Sequence, residues 1–316
     1  MIIRETIRVG DKNITLETGR IAKQAQGAVL VTCGETMVLV TVCGTTEPRP
    51  GIDFLPLSVD YVEKTYAAGR IPGGFFKREG RLRDDEILVS RLIDRPCRPL
   101  FPDGYRNEVQ VVATVLSVDK QNPSDVLGMI GASAALHISP IPWGGPIAGV
   151  RVGRVDGRLI ANPTYEEMEQ GDLNIVVSAT RDAIVIVFGE CTAITENDFA
   201  DAIFFGKEAV KGVIELQDRM REAVGAAKWS FSREVAPDVR VGDVERHPLP
   251  LVGRGVAVAH QCEVRPDPVG EPQQLEVPVE PPARVLLAED DHQRDRHEQQ
   301  PGAGDHDGGR RRTGVV

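Results

Sequence analysis

Residues 1 to 231 alternate short β-branched runs with a few amphipathic stretches, and the order of those elements sets the fold class. Asn13 to Glu17, Ala28 to Cys33, Met37 to Cys43 and Val109 to Val118 read as strands, with Gly34-Glu35 as a hairpin turn between two of them. Asp84 or Asp85 is placed to cap a helix that carries Ile87, Leu88, Leu92 and Ile93 and that Pro96 should stop. A second helix is expected from Ser124 to about Ile138, where Gly128, Gly131, Ala132, Ser133, Ala134 and Ala135 allow close packing. His137 on it reads as an interior or boundary histidine. Further strands are expected at Ile147 to Val152, Leu173 to Ser178 and Ala183 to Phe188. A long helix then starts after Thr195, with Asp198 three residues on in a capping-box-like spacing. Its stripe of Phe199, Ile203, Val210, Val213, Ile214, Leu216 and Met220 is a core face. Strands with helices interspersed, but without regular βαβ spacing, predict an α+β sandwich.

The periodicity ends near Ser232. Beyond it there is no Lys, Ile, Asn, Phe, Tyr, Trp, Met or Ser, while five of the six histidines and ten of the 22 prolines lie there. Such a segment cannot bury enough apolar surface to offset its ordering entropy, so 232–316 is expected to be a low-complexity, disordered tail. The missing residue types are largely those with AT-rich codons. Their joint absence is what a GC-rich gene read in a shifted frame would give, the alternative being a natural low-complexity tail.

Composition, at 41% hydrophobic and 27% charged residues, is that of a globular chain. No apolar run reaches the roughly 18 residues of a membrane span, and Met1-Ile2-Ile3-Arg4-Glu5 does not look like a secretory leader, so a cytoplasmic location is expected. The cysteines, Cys33, Cys43, Cys97, Cys191 and Cys262, are scattered, without a C-x-x-C pair, and although His260 lies near Cys262 nothing there makes a zinc set, so they read as isolated thiols rather than metal ligands.

A formal net charge of -10 argues against a generally basic nucleic-acid coat and makes one stretch conspicuous. Between Gly69 and Pro102, Gly73 and Gly74 present Phe75, Phe76, Lys77 and Arg78, followed by Arg81, Arg83, Arg91, Arg95 and Arg98. Single-strand binding needs cations that track phosphates and flat apolar faces on which bases stack, at about 1 to 3 kcal/mol per base. Arg91 and Arg95, four apart, project from one face of their helix. A charged surface turn, with its arginines paired to Glu79, Asp84, Asp85, Glu86 and Asp94, would give the same residue types.

These motifs together resemble the first RNase PH-like domain of bacterial polynucleotide phosphorylase. The resemblance rests on Glu17-Thr18-Gly19-Arg20, Cys33-Gly34-Glu35-Thr36, the run from Gly73 to Arg81, and the run from Arg91 to Pro102, and it extends from residue 1 to about Phe231. It implies an RNase PH-like α+β fold over 1–231, in a family of ring-shaped homotrimers that shorten single-stranded RNA, not DNA, from its 3′ end. Inorganic phosphate is the co-substrate, nucleoside diphosphates are released, and Mg2+ is the metal. Phe75, Phe76, Lys77 and Arg78 would form the loop that grips the strand. Arg91, Arg95 and Arg98 would belong to an RNA- and anion-contacting surface.

The resemblance also implies that catalysis resides on a second repeat, where two aspartates and a lysine hold the metal and steady the phosphate. Here Met168, Asn174 and Val176 would fall at those positions, so no catalytic residue and no metal ligand is expected on this repeat. Glu166, Glu167, Glu169 and Asp172 form an acidic cluster nearby that could be read as a metal site, but with no lysine or paired arginine near it in sequence the stretch from Asn162 to Gly171 reads as a solvated loop.

Overall fold

The computed structural model describes residues 1–73, 80–119, 121–224 and 226–231. Phe75, Phe76, Lys77 and Arg78 lie outside the described residues, as does the stretch 232–316 expected to be a tail.

Among the described residues, ten strands form two sheets. The first sheet contains β1 (Ile3–Val9), β2 (Lys12–Thr18), β3 (Gly27–Cys33), β4 (Thr36–Pro48), β5 (Leu57–Glu63) and β6 (Asn107–Ser117), in the order β1-β2-β3-β4-β6-β5. All its pairs are antiparallel except β5 with β6. A parallel pair needs a crossover, and the chain makes it through α1 (Asp84–Cys97). The expected hairpin at Gly34-Glu35 is present: Cys33 faces Thr36, Gly34 has φ +59°, and the Glu35 N–H donates to Asp119 Oδ2 at 2.9 Å. The second sheet contains β7 (Ala148–Val155), β8 (Arg158–Ala161), β9 (Leu173–Ala179) and β10 (Ile184–Cys191), in the order β10-β9-β7-β8 and antiparallel throughout.

The expected sandwich is realised by two helices that each touch strands of both sheets. α2 (Asp125–Ile138) packs on β3, β4, β6 and β7, and α4 (Glu196–Val224) on β1, β7, β8 and β9. All of α2 except Asp125 is buried, which is why its small residues matter. A Cβ on Gly131 would stand 2.5 Å from Val40 Cγ2 and 2.9 Å from Val31 Cγ2. α4 begins after Thr195 as expected, with the Asp198 N–H donating to Thr195 Oγ1 at 3.2 Å, and its stripe from Ile203 to Met220 is buried. His137 lies inside, its Nε2 3.1 Å from Asp218 Oδ1. No helix among the described residues is long and apolar enough to cross a membrane.

Three local expectations are corrected. Arg83, not Asp84 or Asp85, occupies the cap position of α1, because the acceptor that closes this end is the Glu86 carboxylate, which takes the Arg83 N–H at 2.7 Å. Pro96 does not stop the helix; it sits inside, before Cys97, and the chain continues as a 3-10 turn from Arg98 to Leu100. The stretch from Asn162 to Gly171 is not simply a loop, since Thr164 and Glu167 form a capping box that starts the short helix α3 (Tyr165–Gln170). β1, β5 and β8 go beyond the strands expected from the sequence: β1 and β5 do alternate, with Ile3, Ile7 and Val9 in one and Leu57, Val59 and Tyr61 in the other, whereas β8 has only four residues.

Candidate nucleic-acid interface

Helix α1 is clamped against β5 at both ends, and this decides which of its arginines remain available. At its start the buried Glu86 carboxylate accepts the N–H groups of Arg83 and Glu63, each at 2.7 Å. Ser90 Oγ accepts from the Tyr61 N–H at 2.9 Å and donates to the Glu86 carbonyl at 2.8 Å. The Arg83 guanidinium bridges Glu63 and Asp85, and those hydrogen bonds hold the Asp85 carboxyl below its usual range. At the other end Arg98 donates to both Asp94 oxygens, at 2.7 and 3.1 Å, and to the carbonyls of Leu55 and Leu57 at 3.2 and 3.1 Å. Arg98 therefore ties the end of α1 to the start of β5.

Arg91 and Arg95 are different. Both are exposed, and among the described residues neither has a hydrogen-bond or ion-pair partner. They line a cleft of about 140 Å3 between α1 and β10, together with Leu88, Leu92, Ile186 and Phe188. An adjoining cleft of about 300 Å3 shares Leu88, Leu92 and Phe188 and reaches Asp125, Arg151, Asn174 and Glu190. Leu88 is 55% exposed and Phe188 51% exposed, so flat apolar surface stands beside unpaired cations. That combination can take a phosphodiester with a stacked base.

The floor of the wider cleft is set by Arg151 on β7. Its guanidinium donates to Asn174 Oδ1 at 2.6 Å and pairs with Asp125, whose other oxygen accepts the Val126 N–H at 2.7 Å. The arrangement does not suit a divalent cation. A guanidinium already occupies the carboxylate, and among the described residues no three His, Cys, Asp or Glu side chains converge. Of the three positions that the resemblance places at a catalytic centre, Asn174 lines this cleft, Val176 is in the core and Met168 lies in α3. The acidic cluster is dispersed into structural tasks: Glu167 caps α3, and Asp172 pairs with Arg154, which also pairs with Asp198.

Sequence reasoning missed Phe188, Leu88 and Arg151. Ile184 to Phe188 is uniformly apolar, so nothing in it reveals that β10 is an edge strand with its distal half exposed. Leu88 reads as a core residue of an amphipathic helix, and no local signal marks Arg151.

Comparisons with known proteins bear on the family and the fold. The 3′ exoribonuclease family, domain 1, matches residues 10–142, and domain 2 of the same family matches residues 145–209. A polyribonucleotide nucleotidyltransferase of Sorangium cellulosum is 58% identical over 238 residues, 75% of this chain and 31% of that protein. Those of Trichlorobacter lovleyi and Geobacter sulfurreducens are 56% and 55% identical over 230 residues, 73% of this chain and 32% of each protein. The chain thus spans about a third of the length of the curated relatives it matches. The crystal structure of rice (Oryza sativa) Rrp46 superposes with a TM-score of 0.53 at 16% identity, covering 66% of this chain and 94% of that one, a likeness of fold.

Proposed function

The chain belongs to the 3′ exoribonuclease family, and from that premise we propose that it is the RNA-gripping part of a polynucleotide phosphorylase, holding single-stranded RNA during 3′-to-5′ phosphorolysis. The observation that carries this reading is the pair of unpartnered arginines, Arg91 and Arg95, facing the half-exposed ring of Phe188 across one cleft. The arginines take the phosphates and Phe188 takes a base, while Arg98 braces the helix that presents them. Phe75, Phe76, Lys77 and Arg78, which lie outside the described residues, supply further aromatic and cationic groups for the strand.

On this reading the chain turns over nothing alone. Asp125, a carboxylate of the wider cleft, is already paired with Arg151, so on this reading Mg2+ and the phosphate co-substrate are held by residues other than those of the cleft. The working form is a ring-shaped homotrimer in the cytoplasm, with RNA and not DNA as its polymer.

Two measurements on the purified 316-residue chain test the proposal. Binding to a single-stranded oligoribonucleotide should weaken with salt, with a log-log slope of about -0.7 per phosphate contacted, and Phe188→Ala should cost about 1 to 3 kcal/mol of binding. Unchanged affinity in Phe188→Ala would remove the stacking role. Phosphate-dependent release of nucleoside diphosphates from poly(A) would overturn the claim of inactivity.

A further inference from the structure

Apart from the α1–β10 cleft, the structure holds a small enclosed space at the N-terminal end of α2, lined by residues of both sheets. Lys12 on β2 and Cys33 on β3 reach it from the first sheet, Arg151 on β7 from the second, and Asn122, Val126 and Asn162 complete its wall. Its volume is about 10 Å3, room for one water-sized centre.

Two of the polar atoms around it are left without partners. Lys12 Nζ and Arg151 Nε are both inaccessible to solvent, and among the described residues neither has a hydrogen-bond acceptor. The other nitrogens of the Arg151 guanidinium are already committed to Asn174 and Asp125, so only Nε is left over. A buried donor without an acceptor costs about 1 to 3 kcal/mol, more when charged, so two on the wall of one cavity call for something between them. The wall also offers acceptors with spare capacity. Asn162 Oδ1 takes only the Arg151 N–H, at 3.1 Å, and Asn122 Oδ1 takes only the weak Cys33 thiol donor, at 3.6 Å. Each carbonyl oxygen has a second lone pair.

We propose that this cavity is a binding site for one internal water molecule, which accepts hydrogen bonds from Lys12 Nζ and Arg151 Nε and donates to the side-chain oxygens of Asn122 and Asn162. A water suits the site better than a halide for two reasons. Asp119 and Glu167 already act electrostatically on Lys12, and Asp125 neutralises Arg151, so no further negative charge is called for. A halide also has no proton to donate to the spare lone pairs of the two asparagine oxygens. The water links β2 to β7 across the two sheets and fixes the third nitrogen of the guanidinium that forms the cleft floor.

The test is a crystal structure of the full chain at a resolution that shows ordered water, with a matched crystal soaked in bromide. The expected result is one peak within about 2.6 to 3.2 Å of both Lys12 Nζ and Arg151 Nε, without anomalous signal after the soak. An anomalous peak at the site would overturn the assignment to water, and so would empty density or a direct bond from either nitrogen to a protein acceptor. In solution, a long-lived water should give a nuclear Overhauser cross-peak to the Arg151 Nε–H, lost in Lys12→Met; a cross-peak unaffected by Lys12→Met would contradict the bridging role. Neither measurement depends on RNA, so the site stands or falls separately from the proposed function.

Discussion

Helices α1 and α2 have the same length, 14 residues, and opposite fates. α2 lies against both sheets, buries all but Asp125 and spends its small residues on close approach. α1 packs one side on β5 and turns Leu88, Arg91 and Arg95 toward a cleft that the described residues do not fill. The difference shows where this molecule places stability and where it leaves capacity for a ligand. Arg83, Arg98, Arg151 and Arg154 all have carboxylate partners. On α1 the pairing stops at Arg91 and Arg95, beside Phe188, and unpaired cations next to exposed aromatic surface serve binding better than folding.

The largest expected effect comes from forcing α2 off its neighbours. Gly131→Val should destabilise the chain by about 3 kcal/mol or more, because the added carbons meet Val40 and Val31 of the sheet rather than flexible side-chain ends. Thermal unfolding measures it. A melting temperature close to that of the parent would mean that α2 can move away from β3 and β4, and the contrast between a saturated and an unsaturated helix would fail.

At the C-terminal end of α2 the comparison can be sharpened by pH. Burial, and secondarily the nearby Arg221 charge, lower the His137 pKa from 6.5 to about 4. The unfolded chain then binds this proton more readily than the folded one. The stability tied to neutral His137 is complete above about pH 6.5, falls as acid is added, and is lost by about pH 4. The contribution is roughly 1 to 3 kcal/mol for a group this enclosed. Urea unfolding across that window should show a slope that flattens in His137→Gln, and an equal slope in both proteins would contradict a buried neutral histidine.

Much of this architecture was legible in the chain itself. The hairpin at Gly34, the small-residue helix and the stripe of α4 each follow from local rules that tertiary packing reinforced. What could not be read depended on partners distant in sequence. Glu86 closes the start of α1 through the Arg83 N–H, and its other oxygen is taken by the distant Glu63 N–H of β5, while Pro96 sits one residue before the helix ends. Arg91, Arg95 and Arg98 look alike in the sequence, and only the approach of the Leu55 and Leu57 carbonyls sets Arg98 apart. Phe188 was hidden for a related reason: an apolar strand does not state that it lies at an edge.

That separation of like residues gives the smallest and most discriminating prediction. Arg98→Ala removes two bonds to Asp94 and two to backbone carbonyls, and should lower stability by roughly 1 kcal/mol while leaving the salt dependence of RNA binding as it was. Arg91→Ala breaks no hydrogen bond or ion pair within the described residues. It should leave the melting temperature within a degree or so and reduce the log-log salt slope by about 0.7, the signature of one lost phosphate contact on a single strand. The two variants differ by one guanidinium from the same parent and lie seven residues apart, one in α1 and the other in the 3-10 turn after it. If the effects were exchanged, with Arg98→Ala changing the slope and Arg91→Ala the stability, hydrogen bonding in the free chain would be the wrong guide to which cations meet the ligand. If each variant changes only its own quantity, the pairing state of an arginine is enough to divide structural from binding cations on this helix.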